Sequence, residues 1–89
     1  SSAARVVKEY RPPYPRQLKE EGIEGLVILR VQITREGKTR KVKVVKGLHP
    51  VLDNLSLQAM ERFVWAPAQV DGQPVDSVIT YRFNWELFQ

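Results

Sequence analysis

The sequence predicts an α+β domain in which two helices cover one face of a three-stranded antiparallel sheet. Three observations lead to this fold class. Two segments with the alternating pattern of strands flank a short glycine-containing loop, as in a hairpin. The next segment changes to the spacing of an amphipathic helix, and the last segment alternates again. Because a helical crossover after a hairpin normally returns the third strand beside the first, the predicted sheet order is 2-1-3.

Composition and length limit the classes of protein to consider. The 89 residues, of which 43% are hydrophobic, suffice for one domain. The absence of cysteine and the single histidine exclude a disulfide, a thiolate zinc site and a site built from several imidazoles. The net charge of +4 permits a nucleic-acid or anionic-membrane partner without requiring one. No apolar run approaches the ~20 residues of a membrane-spanning helix.

The first part of the chain is predicted to be a linker followed by a short helix. Residues 1–11 are polar and aperiodic, so we interpret them as a linker or flexible segment and assign the domain to residues 12–89. Pro15 suits the first turn of a helix because its missing N–H is not needed there. The helix is predicted to run to about Glu21, with Gly22 in the left-handed conformation that ends it.

A hairpin is predicted for the next part of the chain. Residues 26–34 alternate between apolar and polar positions, and residues 41–44 repeat the alternation. The loop Arg35-Glu36-Gly37 between them is short and contains the glycine that such a turn favours. The apolar positions that we expect on one face of the first strand are Val27, Leu29, Val31 and Ile33.

A second helix and a third strand complete the predicted fold. Pro50 suits the first turn of the helix, and Pro67 prevents its continuation. Asp71-Gly72 then marks a turn. Residues 77–87 alternate in the longest and most aromatic strand, whose aromatic side chains we place under the helices. The apolar stripe of the helix consists of Leu52, Leu55, Ala59 and Phe63.

The two predicted edge strands differ in how well they are protected against pairing with another chain. The second strand is guarded by lysine and arginine, whereas the third carries only Arg82 and Glu86, so the third is the better acceptor for an extended peptide. Alternatively, the N-terminal segment, a homodimer or strand twist could cover it. For the basic strand, edge protection is favoured over a phosphate-binding stripe because no stacking aromatics accompany Lys38, Arg40, Lys41, Lys43 and Lys46.

The sequence offers little chemistry for catalysis. Ser56, His49 and Asp53 lie close enough in sequence to suggest a nucleophile triad, but no strained nucleophile turn surrounds the serine. His49 precedes Pro50 at the predicted helix start, where a surface or capping role is expected. We therefore predict a binding domain and not an enzyme.

Several short motifs, taken in order, resemble the C-terminal domain of TonB-type energy transducers. The resemblance extends from Tyr14 to Leu87. The motifs that carry it are Tyr14-Pro15, Gly22-Ile23-Glu24-Gly25-Leu26-Val27, Arg35-Glu36-Gly37, Leu52-Asp53, and Phe63-Val64-Trp65-Ala66-Pro67 leading to Asp71-Gly72.

The resemblance implies a periplasmic, non-catalytic domain without a cofactor. It implies an inner-membrane anchor, an N-terminal helix outside this fragment, which associates with the motor proteins ExbB and ExbD. The domain is expected to capture the TonB box of outer-membrane TonB-dependent receptors by β-strand addition, and so to transmit proton-motive-force energy for siderophore, iron or vitamin B12 uptake. The implied peptide-binding residues are Arg11, Pro12, Pro13, Tyr14, Ser77, Val78, Ile79, Thr80, Tyr81, Arg82, Phe83, Asn84 and Trp85.

One residue departs from the family pattern, and alternative functions are kept open. The family often has glutamine where this chain has Arg11, which we expect to favour acidic residues near the receptor's box. A TolA-like envelope interaction domain is the runner-up, disfavoured because such domains usually carry a cysteine pair. A basic nucleic-acid-binding module would need stacking aromatics or a recognition helix, so no nucleic-acid partner is expected. A homodimer through the same edge would compete with peptide capture.

Overall fold

The computed structural model describes residues 1–87, so the last two residues of the predicted domain, 88 and 89, lie outside the described part. In the described part the chain forms two helices and seven strands. Their bounds are β1 (Arg5–Lys8), α1 (Arg16–Glu20), β2 (Gly25–Ile33), β3 (Thr39–Lys46), α2 (Pro50–Met60), β4 (Val64–Ala66), β5 (Ala68–Val70), β6 (Gln73–Val75) and β7 (Ser77–Trp85).

The main sheet has the strand order β3-β2-β7, and both pairs are antiparallel. This is the order predicted from the hairpin and the helical crossover. Strand β2 pairs with β7 without interruption, from Gly25 opposite Trp85 to Ile33 opposite Ser77. The pairing of β2 with β3 contains two irregularities, both of which leave an extra residue on β3.

One face of this sheet forms the core. The predicted apolar positions of β2 are at most 1% exposed, and the helices cover them with Leu18 from α1 and with Leu52, Ala59 and Met60 from α2. Phe83 and Trp85 of β7 are 2% exposed on the same face. The alternate residues of the three strands face away from the helices and stay exposed or half-buried.

Two hydroxyl groups tie the tryptophans to α2. The Trp85 indole N–H donates to the Ser56 hydroxyl at 2.9 Å, and this hydroxyl donates to the Leu52 carbonyl at 2.8 Å. The Trp65 indole N–H donates to the Thr39 hydroxyl at 2.9 Å, which in turn donates to the Met60 carbonyl at 2.7 Å. Each buried indole therefore has a hydrogen-bond partner, as a buried polar group requires.

The end of α1 and the start of α2 have the caps that their sequences predict. The N–H groups of Gly22 and Ile23 donate back to the carbonyls of Lys19 and Leu18 at 3.0 Å, and Gly22 has φ +70°. This pairing is a Schellman ending, which needs the left-handed residue that was predicted. At the start of α2, the His49 imidazole accepts a hydrogen bond from the Val51 N–H at 3.1 Å, which confirms the capping role.

The predicted linker is partly a strand. Strand β1, within residues 1–11, pairs antiparallel with β4, and Ser2 bridges to Gln69. Val6 packs against the core, and the Arg62 guanidinium lies 4.0 Å from the Tyr10 ring centroid. The segment was interpreted as flexible because a strand of four residues with a single half-buried residue gives no periodic signal.

The second helix was predicted to include Phe63 and ends instead at Met60. Phe63 is buried as expected, but it lies outside the helix, and the three residues that follow it form β4. Backbone pairing with β1 and with the β2–β3 turn stabilises this extended conformation in place of further helical turns. Among the described residues, neither helix has the length and apolar character needed to cross a membrane.

Candidate functional site

The outer side of β7 is an open strand edge. Strand β7 pairs with β2 on its inner side only, and no other strand of the described residues pairs with it. The N-terminal strand, which could have covered this edge, pairs with β4. The edge therefore presents backbone N–H and C=O groups that another strand could use.

The register identifies which residues of β7 point their backbone groups outward. Directly after β2, the Thr34 N–H donates to the Lys38 carbonyl at 2.8 Å, toward the β3 side. Because backbone direction alternates along an antiparallel strand, the odd-numbered residues of β2 face β7. Their partners are the odd-numbered residues of β7. The outward-facing residues of β7 are consequently Val78, Thr80, Arg82 and Asn84.

The Arg11 side chain occupies one end of this edge. Its Nη2 donates to the Asn84 carbonyl at 2.7 Å, and its guanidinium carbon lies 5.4 Å from the Phe83 ring centroid. This bond independently places the Asn84 carbonyl on the outer side of the sheet. Along the described chain, the backbone groups of Val78, Thr80 and Arg82 remain without a partner on that side.

Tyr14 supports the same end of the edge. Its ring contacts Trp85 edge to face at 5.1 Å between centroids, and its hydroxyl donates to the Ile23 carbonyl. Burial, with a smaller contribution from the Glu24 carboxylate, raises the pKa of the Tyr14 phenol above its ordinary value. A groove of about 360 Å³ opens beside it, lined by Arg11, Pro12, Tyr14, Lys19, Trp85, Glu86 and Leu87.

The two ends of β7 have different surroundings. At its start, the Asp76 carboxylate accepts the Arg35 backbone N–H at 2.9 Å and lies 3.7 Å from the Arg35 Nε. A smaller cavity of about 160 Å³ adjoins Ser77, whose buried hydroxyl has no hydrogen-bond partner among the described residues. At the other end, Glu86 accepts a hydrogen bond from the Asn84 side-chain amide. An acidic residue thus flanks each end of a strand that contains none.

The predicted site residues differ in where they lie along β7 and in which face of the sheet their side chains occupy. Arg11, Pro12 and Tyr14 meet the end of β7 near Trp85, far along the strand from Ser77. Of the β7 side chains, Ile79, Tyr81, Phe83 and Trp85 belong to the core or pack against it. Their backbone groups pair with β2, so these four residues present no hydrogen-bonding backbone groups at the outer edge. Sequence reasoning missed three residues that line the groove, Lys19, Glu86 and Leu87, because the lining of a groove depends on how segments distant in sequence pack together and leaves no periodic signal.

The residues considered for catalysis have structural roles. Ser56 is fully buried between the Leu52 carbonyl and the Trp85 indole. The Asp53 carboxylate accepts the backbone N–H groups of Leu48 and His49 at 2.8 and 3.2 Å. These bonds stabilise the start of α2 and do not form a relay. In residues 1–87 no group of three or more acidic or histidine side chains has the arrangement to hold a metal ion.

Comparison with known proteins gives consistent matches for fold and family. The family model for the Gram-negative bacterial TonB protein C-terminal matches residues 10–87. Protein TonB of Vibrio cholerae is 30% identical over 85 residues, which cover 94% of this chain and 35% of that protein. The solution structure of the Pseudomonas aeruginosa TonB C-terminal domain has a TM-score of 0.78 and 26% identity, covering 100% of this chain and 91% of that one. The matches confirm the resemblance, the fold class and the prediction of a non-enzymatic domain.

Proposed function

Because the chain belongs to the family of Gram-negative bacterial TonB protein C-terminal domains, we propose that it captures an extended peptide of an outer-membrane receptor on the outer edge of β7. The observation that supports this proposal is the unpaired outer side of β7, with the backbone groups of Val78, Thr80 and Arg82 turned outward. A strand added there gains main-chain hydrogen bonds without requiring a particular sequence.

The wider role follows from the family. The chain spans 35% of the length of Vibrio cholerae TonB. We propose a periplasmic domain that receives energy through an inner-membrane N-terminal helix coupled to ExbB and ExbD, and that pulls on the TonB box of its receptor. Siderophores, iron or vitamin B12 are the proposed cargo.

Strand addition suits a domain that transmits force. A peptide paired along β7 loads several backbone hydrogen bonds together when it is pulled along its axis. The acceptor strand is in turn fixed by nine paired positions along β2 and by the Trp85 bond to Ser56. Binding of the peptide therefore depends on the backbone geometry of β7. Sequence specificity is left to side chains at the ends of the strand edge, such as Arg11, which donates to the Asn84 carbonyl.

The proposal is tested by NMR titration of the labelled domain with a receptor peptide that contains the TonB box. We expect the N–H groups of Val78, Thr80 and Arg82 to gain protection from exchange, because they face outward. Those of Ile79 and Tyr81 are already bonded to β2 and should change little. A peptide N-methylated at alternate residues, which cannot complete the pairing, serves as the control. Shifts that avoid β7 at saturating peptide would overturn the proposal.

Arg11 is predicted to contribute salt-dependent affinity. Replacing it with glutamate removes the bond to the Asn84 carbonyl and places a negative charge in the groove beside Glu86. We expect Arg11→Glu to weaken binding of a receptor peptide with acidic residues near its box by about tenfold at low salt, and by less at ~1 M salt, where charges are screened. Arg11→Gln, which keeps a hydrogen-bond donor, is the matched control. Equal affinity of all three proteins at low salt would contradict this role.

A homodimer through the same edge remains a prediction. Two β7 edges would use the same outward backbone groups as the peptide, so dimer and complex would exclude each other. Peptide affinity that falls as the domain concentration rises is the expected sign of this competition.

A further inference from the structure

The sheet face opposite the helices carries a group of five cations, which we call the cationic sheet face. The register places Lys43 opposite Arg30, and Lys46 and Arg82 on either side of Ile28. Lys41 lies opposite Gln32 at the end toward the hairpin turn. All of these positions alternate with the core residues of β2 and therefore share the open face. Its five cations are Arg30, Lys41, Lys43, Lys46 and Arg82.

These charges have no counterions within the described residues. Strands β2, β3 and β7 contain no aspartate or glutamate, and the ion pairs of residues 1–87 involve none of the five cations. The chain has 14 lysine and arginine residues, so nine remain elsewhere against ten acidic residues. The excess positive charge of the chain is thus located on this face. Like charges directly opposite each other, such as Arg30 and Lys43, destabilise a sheet.

Edge protection does not account for this arrangement. It explains lysines on β3, which is an edge strand, because they discourage pairing with another chain. Arg30, however, lies on the central strand β2, where no edge exists, and Arg82 lies on the opposite edge. What the five residues share is the face of the sheet. A repulsive cluster on a face indicates a negatively charged partner for that face.

The remaining side chains of the face indicate which partner it fits. Val45 lines a shallow groove with Arg30 and Lys43 and is 56% exposed, while Val78 is 54% and Leu26 41% exposed. Binding at a membrane interface combines burial of apolar side chains with attraction of cations to anionic lipids, and this face offers both kinds of side chain. No aromatic side chain lies at the open-face positions of the three strands, so the base stacking that single-stranded nucleic acid uses is absent there.

We propose that the cationic sheet face binds an anionic phospholipid surface. The five cations would lie against the headgroups, with Val45 and Val78 at the level of the lipid glycerol region. The outward backbone groups of β7 point along the plane of the sheet, so this orientation leaves the strand edge accessible. Arg82 and Val78 of this face also lie on β7, whereas Arg30, Lys43 and Val45 do not, so changes at these three residues test lipid binding separately from peptide capture.

The test measures sedimentation of the chain with vesicles of phosphatidylcholine containing about one-third phosphatidylglycerol, and with phosphatidylcholine vesicles alone. We expect binding to the anionic vesicles only. Each cation near an anionic surface contributes about 1 kcal/mol, or about fivefold in affinity, so Arg30→Gln with Lys43→Gln should weaken binding about 25-fold. The matched control, Arg5→Gln with Lys8→Gln, removes the same charges from exposed positions of β1 and should bind as the unaltered chain does.

Several outcomes would overturn the proposal. Equal loss in both double variants would show attraction to net charge and not to this face. Absence of binding to the anionic vesicles would exclude a lipid partner, and tighter binding to duplex DNA or heparin, lost in the same variant, would assign the face to a soluble polyanion. Since replacing Arg30 and Lys43 relieves repulsion, that variant should fold. As an independent check, Val45→Ser should weaken vesicle binding several-fold without changing its dependence on salt.

Discussion

Thr80→Pro is expected to weaken capture of a receptor peptide by at least about tenfold while leaving the domain folded. Thr80 lies in the middle of the outward-facing residues of β7, opposite Arg30 of β2. Its N–H points away from β2, so proline removes a donor that the fold does not use. Proline is tolerated in edge strands at such positions.

Thr80→Pro is expected to disrupt the pairing of an added peptide strand much more than it disturbs the fold. Proline removes the central donor and places its ring where a carbonyl of the incoming peptide would approach. The peptide can then pair only with the short segments of β7 on either side of residue 80, and these segments form too few hydrogen bonds to compensate for the loss. With a net value of about 0.5–1.5 kcal/mol for each backbone hydrogen bond, the loss of two or three bonds gives the expected reduction.

Calorimetric titration of Thr80→Pro and of Thr80→Val with the same peptide measures the effect. Valine keeps the N–H and favours the extended conformation, so Thr80→Val should bind as the unaltered chain does. Circular dichroism and thermal unfolding establish that both variants are folded. If the proline variant binds with unchanged affinity, β7 is not the acceptor strand.

The main sheet could be predicted because its strands carry their own signals. Strands β2 and β7 alternate over nine residues each, and one face of each is buried by the helices. Strands β1 and β4 carry no such signal, since they are short, β4 is stabilised by pairing with β1 and with the β2–β3 turn, and each has a single residue that packs on the core. The end of α2 was misplaced because of a misleading signal. Phe63 continues the spacing of the helical stripe although the chain has already turned away.

The candidate site was predictable in part. The contrast between a lysine-rich edge and a less guarded one identified β7, because both features lie within single strands. The hydrogen bond from Arg11 to the Asn84 carbonyl joins residues 73 positions apart and depends on where the N-terminal segment lies relative to β7. The cationic sheet face depends on the registers of three strands together. In the sequence, Arg30 and Lys43 belong to different elements and show no sign of being opposite each other.

Gly37→Ala is expected to lower the free energy of unfolding more than the other substitutions proposed for this chain. Gly37 has φ +82°, and its carbonyl accepts the Trp65 N–H at 2.9 Å, which attaches the β2–β3 turn to β4. A Cβ atom at this position would overlap the Trp65 carbonyl oxygen and lie 3.2 Å from its carbon. Both neighbours are backbone atoms, so the clash is relieved only by moving β4 or the turn.

The expected cost combines two terms. The left-handed conformation costs an alanine about 1–2 kcal/mol, and a buried Trp65 N–H left without its partner costs about 1–3 kcal/mol more. For a domain of this size, each 1 kcal/mol lowers Tm by about 4–8 °C, so Gly37→Ala should lower Tm by at least about 8 °C. Trp65 fluorescence should shift to the red as β4 and β1 separate from the turn.

Gly22→Ala separates the cost of the left-handed conformation from the cost of the clash with Trp65. Gly22 has φ +70°, and no atom lies within 4 Å of the position where its Cβ would be. This substitution carries the conformational cost without the clash, and should lower Tm by only about 4–16 °C. Thermal unfolding of the two variants side by side therefore measures how much of the stability depends on the close approach of the turn to β4. Equal losses would show that the turn can move away from Trp65 freely, and that β1 and β4 are not anchored through Gly37.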